Sequence, residues 1–217
     1  MPLEQLEFEI KTATTDDKEQ ILRFLRTFYF QDAPLSCYLK VLTDENPINE
    51  NLEAYTSALI DDLPPLMAVY NDKLIGVCIN TILERDKLSK PPPSWIDDKL
   101  MKMVNLLGFV SKGADAFGKH AGCVRALSAA MLSVDQTYRG NGVAKKLLEK
   151  SWELGKQHGC GFMVVDCSSH FTARALKSLG FELIYSMDYA DYEVNGEVVF
   201  KPPPPHKAFT VYTKIIQ

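Results

Sequence analysis

The sequence predicts a mixed α/β fold in which one central sheet is flanked by helices. Predicted strands and helices alternate along the chain, a hairpin lies before its middle, and the strongest amphipathic helix follows an apolar strand. With 217 residues, 46% of them hydrophobic and 24% charged, the chain can bury a substantial core. We therefore expect residues 1–217 to form a single domain.

The first half of the chain contains strand, helix and hairpin signals. Asn71-Asp72-Lys73 joins two apolar runs and predicts the hairpin turn. The first helix is expected to end near Gln31, because Pro34 disfavours helical geometry at Ala33. The predicted elements are a strand over 8–12, a helix from the N-cap residues 14–17 to 31, a weaker helix over 51–60, the hairpin over 66–83 and a helix over 95–110. Residues 34–47 and 111–122 are expected to be loops, and the prolines of 90–93 to break the chain.

The second half alternates strands and helices more regularly. Residues 142–158 form the clearest helix, because apolar side chains fall on one face, lysines and glutamates on the other, and Gly159 follows as a cap. The other predicted elements are strands over 124–134, 162–166 and 183–189, a helix over 171–179, and a final strand after the prolines of 202–205.

Composition excludes several classes of partner and site. The net charge of −4 provides no overall positive field for nucleic acid or an anionic membrane surface. Five scattered cysteines, three of them in apolar runs, indicate reduced thiols and a reducing compartment. The amino terminus lacks the apolar core of a signal peptide, and the longest apolar run is far shorter than a membrane span. We expect a cytoplasmic protein with no obligatory protein partner.

A turn with two glycines joins the strand over 124–134 to the clearest helix. Gly140 and Gly142 let the backbone turn tightly, and the helix start directs free N–H groups and a positive dipole end at a ligand. Such a turn can cradle phosphate, with a charge-assisted hydrogen bond from Arg139. The third glycine of a dinucleotide fingerprint and the ending of a nucleoside-triphosphate loop are missing. The alternative is a glycine turn without a ligand.

Three motifs together resemble one enzyme family. Arg-Gly-x-Gly-x-Ala at 139–144, preceded by LSVDQ, resembles the acetyl-coenzyme A motif of the GNAT acetyltransferase superfamily. DCSSHFTARALKSLGF at 166–181 and ADYEVNGEVVFKPPPPH at 190–206 are similar to the insect arylalkylamine N-acetyltransferases, which acetylate dopamine, serotonin, tryptamine and related amines. The resemblance extends from FEIKTAT at 8–14 to the last strand. It implies the GNAT fold, with a mixed sheet of about seven strands, and transfer of acetyl from acetyl-coenzyme A to a small primary amine by direct attack in a ternary complex.

The resemblance also assigns the coenzyme contacts. A splayed strand can offer free backbone groups to the pantetheine amides and a donor to the thioester oxygen, where negative charge develops during attack. The glycine turn takes the pyrophosphate. The implied residues are Leu132, Ser133, Val134, Arg139, Gly140, Asn141, Gly142, Val143, Ala144, Lys145 and Phe171.

The serine-rich run before the helix over 171–179 has catalytic and structural interpretations. The resemblance implies that Ser168 and Thr172 line the active site. Ser169 stands where a helix needs an N-cap, which is a structural alternative for it. His170 could be a general base, and the alternative for a histidine at a helix start is a surface or capping position. The nearby cysteines and this histidine lack zinc-ligand spacing, so we expect no metal.

The general base of the resembled enzymes is missing. TFYFQDAPL at 27–35 resembles a stretch in which aromatic residues precede Asp-Glu-Pro-Leu, and Ala33 replaces the glutamate taken as the base. A positioned base typically contributes ~10²–10⁴ in rate, because an alkylamine is almost fully protonated at neutral pH. Three interpretations remain open: Asp32 or Glu9 acts through water, the substrate is less basic, or the protein binds the coenzyme and catalyses poorly. Asp32 could also be only a polar residue at a helix end.

The aromatic residues of the same stretch can pack in the core or face the substrate. Phe28 fits a buried stripe with Ile21 and Leu25. Tyr29 or Phe30 could instead face a pocket for a planar amine, with core packing as the alternative. The predicted substrate-binding residues are Tyr29, Phe30 and Pro34.

Overall fold

The computed structural model describes residues 6–88 and 93–216. Residues 1–5 of the amino terminus and 90–92 of the predicted proline break lie outside the described residues. The helices are α1 (Lys18–Leu25), α2 (Pro34–Leu39), α3 (Glu50–Asp62), α4 (Asp98–Ala114), α5 (Ala116–Lys119), α6 (Val143–Gln157) and α7 (His170–Ser178). The strands are β1 (Glu9–Thr12), β2 (Leu66–Tyr70), β3 (Lys73–Glu84), β4 (Arg125–Val134), β5 (Phe162–Cys167), β6 (Glu182–Asp188), β7 (Glu193–Val194), β8 (Glu197–Val198) and β9 (Ala208–Ile215).

The central sheet contains seven strands in the order β1-β2-β3-β4-β5-β9-β6. All neighbouring strands are antiparallel except β4 and β5, which are parallel. The predicted hairpin joins β2 to β3 through Asn71 and Asp72, whose φ angles of 47° and 60° suit a tight hairpin turn. The mixed α/β fold and the seven-stranded sheet expected from the sequence are confirmed.

The two parallel strands separate along their length. Their pairing covers three positions and ends at Ser128 and Val164. Beyond this point, within the described residues, β4 remains paired with β3, and β5 with β9. Ala130 is an extra residue of β4 opposite β3, and such a bulge bends its strand and increases the local twist. A V-shaped cleft therefore opens between the carboxyl-terminal halves of β4 and β5.

Apolar layers cover both faces of the sheet. On one face, α6 and α7 pack on alternate residues of β5, among them Met163 and Val165. On the other face, α2 and α4 pack on the intervening residues Phe162 and Val164. Helices α1 and α3 cover β3 on this second face. The two faces of β5 therefore pack against different pairs of helices.

Two segments expected to be loops contain helices. Pro34 begins α2, because its missing N–H is not needed at the first helical position and Ala33 before it is extended. The fourth helix continues through residues 111–114 and ends at Asp115, where φ is 40° and α5 follows directly. The short hairpin of β7 and β8 was also not predicted.

The end of the first helix departs from α-helical geometry. A π-helical turn over Arg26–Phe30 follows α1. This wider turn changes which side chains face the core, because it inserts an extra residue into the helical repeat. Phe30 is consequently 2% exposed, whereas Phe28 and Tyr29 are half-buried. Phe28 packs against the cluster that contains Ile21 and Leu25, as expected, but it lies at the edge of this cluster because of the wider turn.

None of the helices within residues 6–88 and 93–216 combines the length and apolarity needed to cross a membrane.

Candidate active site

The glycine turn forms an open cradle at the start of α6. Gly140 and Gly142 have φ angles of 83° and 79°, a region that favours glycine. A Cβ at either position would meet no atom within 4 Å, so the space above the turn can admit a ligand. The first helical hydrogen bond runs from the Lys146 N–H to the Gly142 carbonyl, which leaves the N–H groups before it without an intrahelical partner. These features fit a phosphate group.

The buried carboxylate of Asp135 stabilises the segment that leads into this turn. Asp135 accepts hydrogen bonds from the Thr137 N–H at 3.0 Å, the Thr137 hydroxyl at 2.8 Å and Lys73 Nζ at 2.8 Å. Burial alone would raise the pKa of Asp135, but the bonds from Lys73 and Thr137 outweigh it and lower that pKa. Sequence reasoning missed both partners, although Asp-x-Thr after a strand is a signal for such a side-chain turn.

A second network joins the glycine turn to the π-helical turn. Arg139 donates from Nε to the Val134 carbonyl at 3.1 Å and from a terminal nitrogen to Asp32 at 2.7 Å. Gln136 donates to the same carboxylate at 3.0 Å. Asp32 therefore connects two parts of the site. A phosphate contact by Arg139 and a base role for Asp32 remain predictions, and both side chains are already engaged.

The free side of β4 lies beside the π-helical turn. Leu132, Ser133 and Val134 pair with β3 on one side only, because β5 has already diverged. The Ser133 hydroxyl donates to the Phe28 carbonyl at 2.8 Å and fixes the π-helical turn against the strand. The cleft thus has β4 along one side and an aromatic turn at its mouth.

The predicted amine-binding residues differ in accessibility. Phe30 and Pro34 are buried, and Ala33 and Tyr29 are half-buried. Burial, followed by the neighbouring Cys167 and Tyr55, raises the pKa of Tyr29 to about 12. Its hydroxyl therefore stays protonated at neutral pH. Of the three predicted residues, Tyr29 has the surface to contact a substrate.

The serine-rich run turns from β5 into α7. Ser169 is the N-cap of α7, and its hydroxyl accepts a hydrogen bond from the Phe171 N–H at 3.3 Å. The Ser168 carbonyl accepts one from the Tyr189 hydroxyl at 3.0 Å, which orients the strand end. Phe171 is 61% exposed, with its ring between the edges of His170 and His206. Ser168, Thr172 and Phe171 stay predicted site residues, in a run that directly follows β5, one of the two strands that border the cleft.

Four of the five cysteines have thiols with raised pKa values, which disfavours the nucleophilic thiolate. All five are free thiols. Burial is the main cause that raises the pKa of Cys37, Cys160 and Cys167, and it raises that of Cys78 to about 11. No group of three or more His, Cys, Asp or Glu side chains is placed to hold a metal ion within the described residues.

Comparison with known families and structures matches most of the chain. Residues 27–181 match the model of the acetyltransferase (GNAT) family. Arylalkylamine N-acetyltransferase 2 from Aedes aegypti is 29% identical with a TM-score of 0.84, and the match covers 97% of this chain and 100% of that chain.

Two further solved structures share the fold at lower identity. The Drosophila melanogaster polyamine N-acetyltransferase, which forms N-acetylagmatine, is 21% identical with a TM-score of 0.83, over 96% of this chain and 100% of that one. The mosquito arylalkylamine N-acetyltransferase-like 5b is also 21% identical, with a TM-score of 0.81 over 96% and 100% of the two chains.

Proposed function

Because the chain belongs to the GNAT acetyltransferase family, we propose that it transfers the acetyl group of acetyl-coenzyme A to a small primary amine, with arylalkylamines as the leading substrate class. One observation carries this proposal. The family match over residues 27–181 includes both the glycine cradle, which suits the phosphates of acetyl-coenzyme A, and the diverging strands, which leave backbone groups of β4 free for its pantetheine arm.

The glycine cradle and the free side of β4 would bind different parts of the coenzyme. The N–H groups of Val143, Ala144 and Lys145 suit the pyrophosphate, since they begin α6 without intrahelical partners. The backbone of Leu132 to Val134 suits the pantetheine amides, because β5 does not pair with it. When bound, acetyl-coenzyme A supplies the acetyl group as a thioester. Phe171 is exposed beside the cleft and can cover the coenzyme.

Direct attack by the amine fits the residues of the cleft. Formation of an acetyl-enzyme would need an accessible thiolate, and the thiols of Cys37, Cys78, Cys160 and Cys167 all have raised pKa values. Ser168 and Thr172 would line the amine side through their hydroxyls. Tyr29 would contact the substrate ring.

A second candidate function is coenzyme binding with little turnover. Ala33 favours it, because the resembled enzymes hold a glutamate base at this position. Asp32 does not simply replace this glutamate, because Arg139 and Gln136 both donate to its carboxylate.

Two measurements separate the candidates. Calorimetry of acetyl-coenzyme A binding tests the cradle, and thiol release with tryptamine, dopamine and agmatine tests the transfer. Binding with turnover is the expected result for the native chain, whereas binding without turnover would favour the second candidate. An Ala33→Glu variant should gain roughly 10-fold or more in rate if position 33 borders the reacting nitrogen. Absence of coenzyme binding would contradict both candidates.

The extent of the domain and its location remain part of the proposal. One sheet, with β1 and β6 as its edge strands, connects all three apolar clusters, which supports a single domain over residues 1–217. The five free thiols are compatible with the cytoplasm.

A further inference from the structure

We propose that Asp166 receives the ammonium group of the substrate in the cleft between β4 and β5, and that its carboxylate accepts the proton that the attacking nitrogen must lose. This inference rests on the acetyltransferase function proposed above. Asp166, on β5, would take the place of the acid that is missing at position 33.

Asp166 lies where β5 has left β4. Parallel pairing with β4 ends at Val164, and the backbone of Asp166 pairs with Val211 on the other side. Every other residue of β5 is buried, and Asp166 alone in this strand is exposed. Ala130, the bulged residue of β4, is likewise exposed in a largely buried strand. Both strands therefore open to solvent at the cleft.

The side chain of Asp166 projects from the face on which Ala33 lies. Residues directly opposite each other in an antiparallel pair share a face, so Asp166 is on the same face as Val211. Val211 and Val164 pack in one cluster with Leu35, which lies two residues beyond Ala33 at the start of α2. The cradle helix α6 covers the opposite face. Coenzyme and amine would thus approach from the two sides of the cleft.

The Asp166 side chain is exposed where β4 and β5 have separated. Burial of its carboxyl group by the surrounding protein raises the pKa of Asp166 to about 6. None of the described side chains forms a hydrogen bond or ion pair with it within residues 6–88 and 93–216. A carboxylate in such surroundings is stabilised by a cation.

Tyr29 lies on the π-helical turn, which contacts the part of β4 that β5 has left. The Ser133 hydroxyl donates to the carbonyl of the neighbouring Phe28 at 2.8 Å, and Asp166 lies on β5 beyond the point where the two strands separate. An arylalkylamine has a ring and an ammonium group a few bonds apart, which matches an aromatic residue and a carboxylate at one cleft.

The proposed proton transfer balances the reaction. The ammonium group gives one proton to the Asp166 carboxylate, and the freed nitrogen lone pair forms a bond to the carbonyl carbon of the thioester. The carbon–sulfur bond then breaks, and the departing thiolate takes the second proton from nitrogen. The products are the amide and coenzyme A, and Asp166 returns its proton to solvent.

The closing experiment compares Asp166→Asn with the native chain. Acetyl-coenzyme A affinity, measured by calorimetry, should stay within about twofold, which also reports that the variant folds. Titration of tryptamine into protein saturated with coenzyme A should show an affinity lower by roughly tenfold or more in Asp166→Asn. The kcat/KM for tryptamine should fall about 100-fold. Glu182→Gln, which neutralises an exposed carboxylate on the edge strand β6, is the matched control and should change none of these values.

Recovery of activity in a double variant tests whether the Asp166 carboxylate acts as the proton acceptor. Asp166→Asn combined with Ala33→Glu should regain part of the lost kcat/KM, because it returns an acid to the same side of the cleft. An arylamine, whose nitrogen is already unprotonated at neutral pH, should lose far less rate in Asp166→Asn than tryptamine does.

The outcomes distinguish this inference from the proposed function. Absence of acetyl-coenzyme A binding in the native chain would overturn the proposed function. Coenzyme binding with unchanged tryptamine affinity and kcat/KM in Asp166→Asn would overturn only the role of Asp166. Coenzyme binding without tryptamine or agmatine binding in the native chain would also overturn that role.

Discussion

Gly142 has a backbone geometry on which the proposed coenzyme site depends. It begins α6 with a φ of 79°, where a side chain is strained even though space is available. A β-branched residue there would cost about 1–2 kcal/mol or rotate the turn away from its present geometry. Either effect disturbs the N–H groups that follow.

We therefore expect Gly142→Val to lower acetyl-coenzyme A affinity at least about tenfold in calorimetry. Gly108→Ala is the control, because Gly108 lies inside α4 and an added Cβ meets nothing within 4 Å. This control should keep its affinity and gain roughly 0.5–1 kcal/mol in stability. Native affinity in Gly142→Val would contradict the phosphate cradle.

Asp166 is expected to make the stability of the protein depend on pH. Burial raises the pKa of Asp166 from the ordinary 3.8 to about 6. Between these values the folded protein holds a proton that the unfolded chain has released, so the contribution of Asp166 to stability falls as the pH rises from about 4 to 6. Above pH 6 the carboxylate is a cost to the folded state.

Asp166→Asn should thus be more stable than the native chain at pH 8, and the difference should vanish toward pH 4. We expect a gain of about 1 kcal/mol at most, because solvent screens part of the burial cost. Urea unfolding at the two pH values measures it, with Glu182→Gln as the neutral control. A variant less stable than the native chain at pH 8 would refute the explanation.

The contacts of Asp32 could not be predicted from its neighbours in the sequence. Its position before Pro34 predicts the end of a helix, which the structure confirms with Gln31 as the helix cap. Its bonds to Gln136 and Arg139 join residues more than 100 positions apart, and no local pattern encodes such a contact. Asp166 was likewise not predicted, since its place at the open end of β5 depends on where β4 diverges.

The position of the π-helical turn depends on its contact with β4. The Ser133 hydroxyl donates a hydrogen bond of 2.8 Å to the Phe28 carbonyl at the mouth of the cleft. A neutral hydrogen bond of this kind contributes about 1 kcal/mol, and its loss would let the turn that carries Tyr29 move.

We expect Ser133→Ala to lose about 1 kcal/mol in urea unfolding and to raise the KM for tryptamine severalfold. Ser178→Ala removes a comparable hydroxyl bond, at 2.7 Å to the Ala175 carbonyl at the end of α7. It should affect stability without raising the KM. Equal KM values for the two variants would argue against a link between Ser133 and the amine site.

The sequence predicted long periodic elements well and irregular ones poorly. Residues 142–158 were predicted as a helix and α6 covers Val143–Gln157, because one apolar stripe and a following glycine define it. The π-helical turn was not predicted, because an inserted residue leaves no signal in a 3.6-residue pattern. The helix α2 was missed because Pro34 was interpreted as a terminator and occupies the first helical position instead.

The cleft interrupts the seven-stranded sheet between β4 and β5. The bound coenzyme would replace the missing contacts between β4 and β5, because it can bind only where the strands are folded and apart. Ligands that bind the folded state alone stabilise it by mass action.

Acetyl-coenzyme A at 100 times its dissociation constant should therefore add about 2.7 kcal/mol to the free energy of unfolding, with a matching rise in Tm. Differential scanning calorimetry at several coenzyme concentrations measures the rise. Gly142→Val, measured at the same concentrations, should show a smaller one. A Tm independent of coenzyme in the native chain would contradict binding at the cleft.

Local sequence patterns are enough to predict the fold class, the glycine turn and the presence of Ala33 where the resembled enzymes hold an acid. Each of these depends on neighbouring residues, through periodicity, glycine conformation or a motif. Three further facts appear only in the folded chain: Arg139 contacts Asp32, Phe30 is buried while Phe28 is half-buried, and Asp166 is exposed in an otherwise buried strand. These facts depend on strand divergence and on contacts between distant segments, which arise when the sheet and its helices pack together.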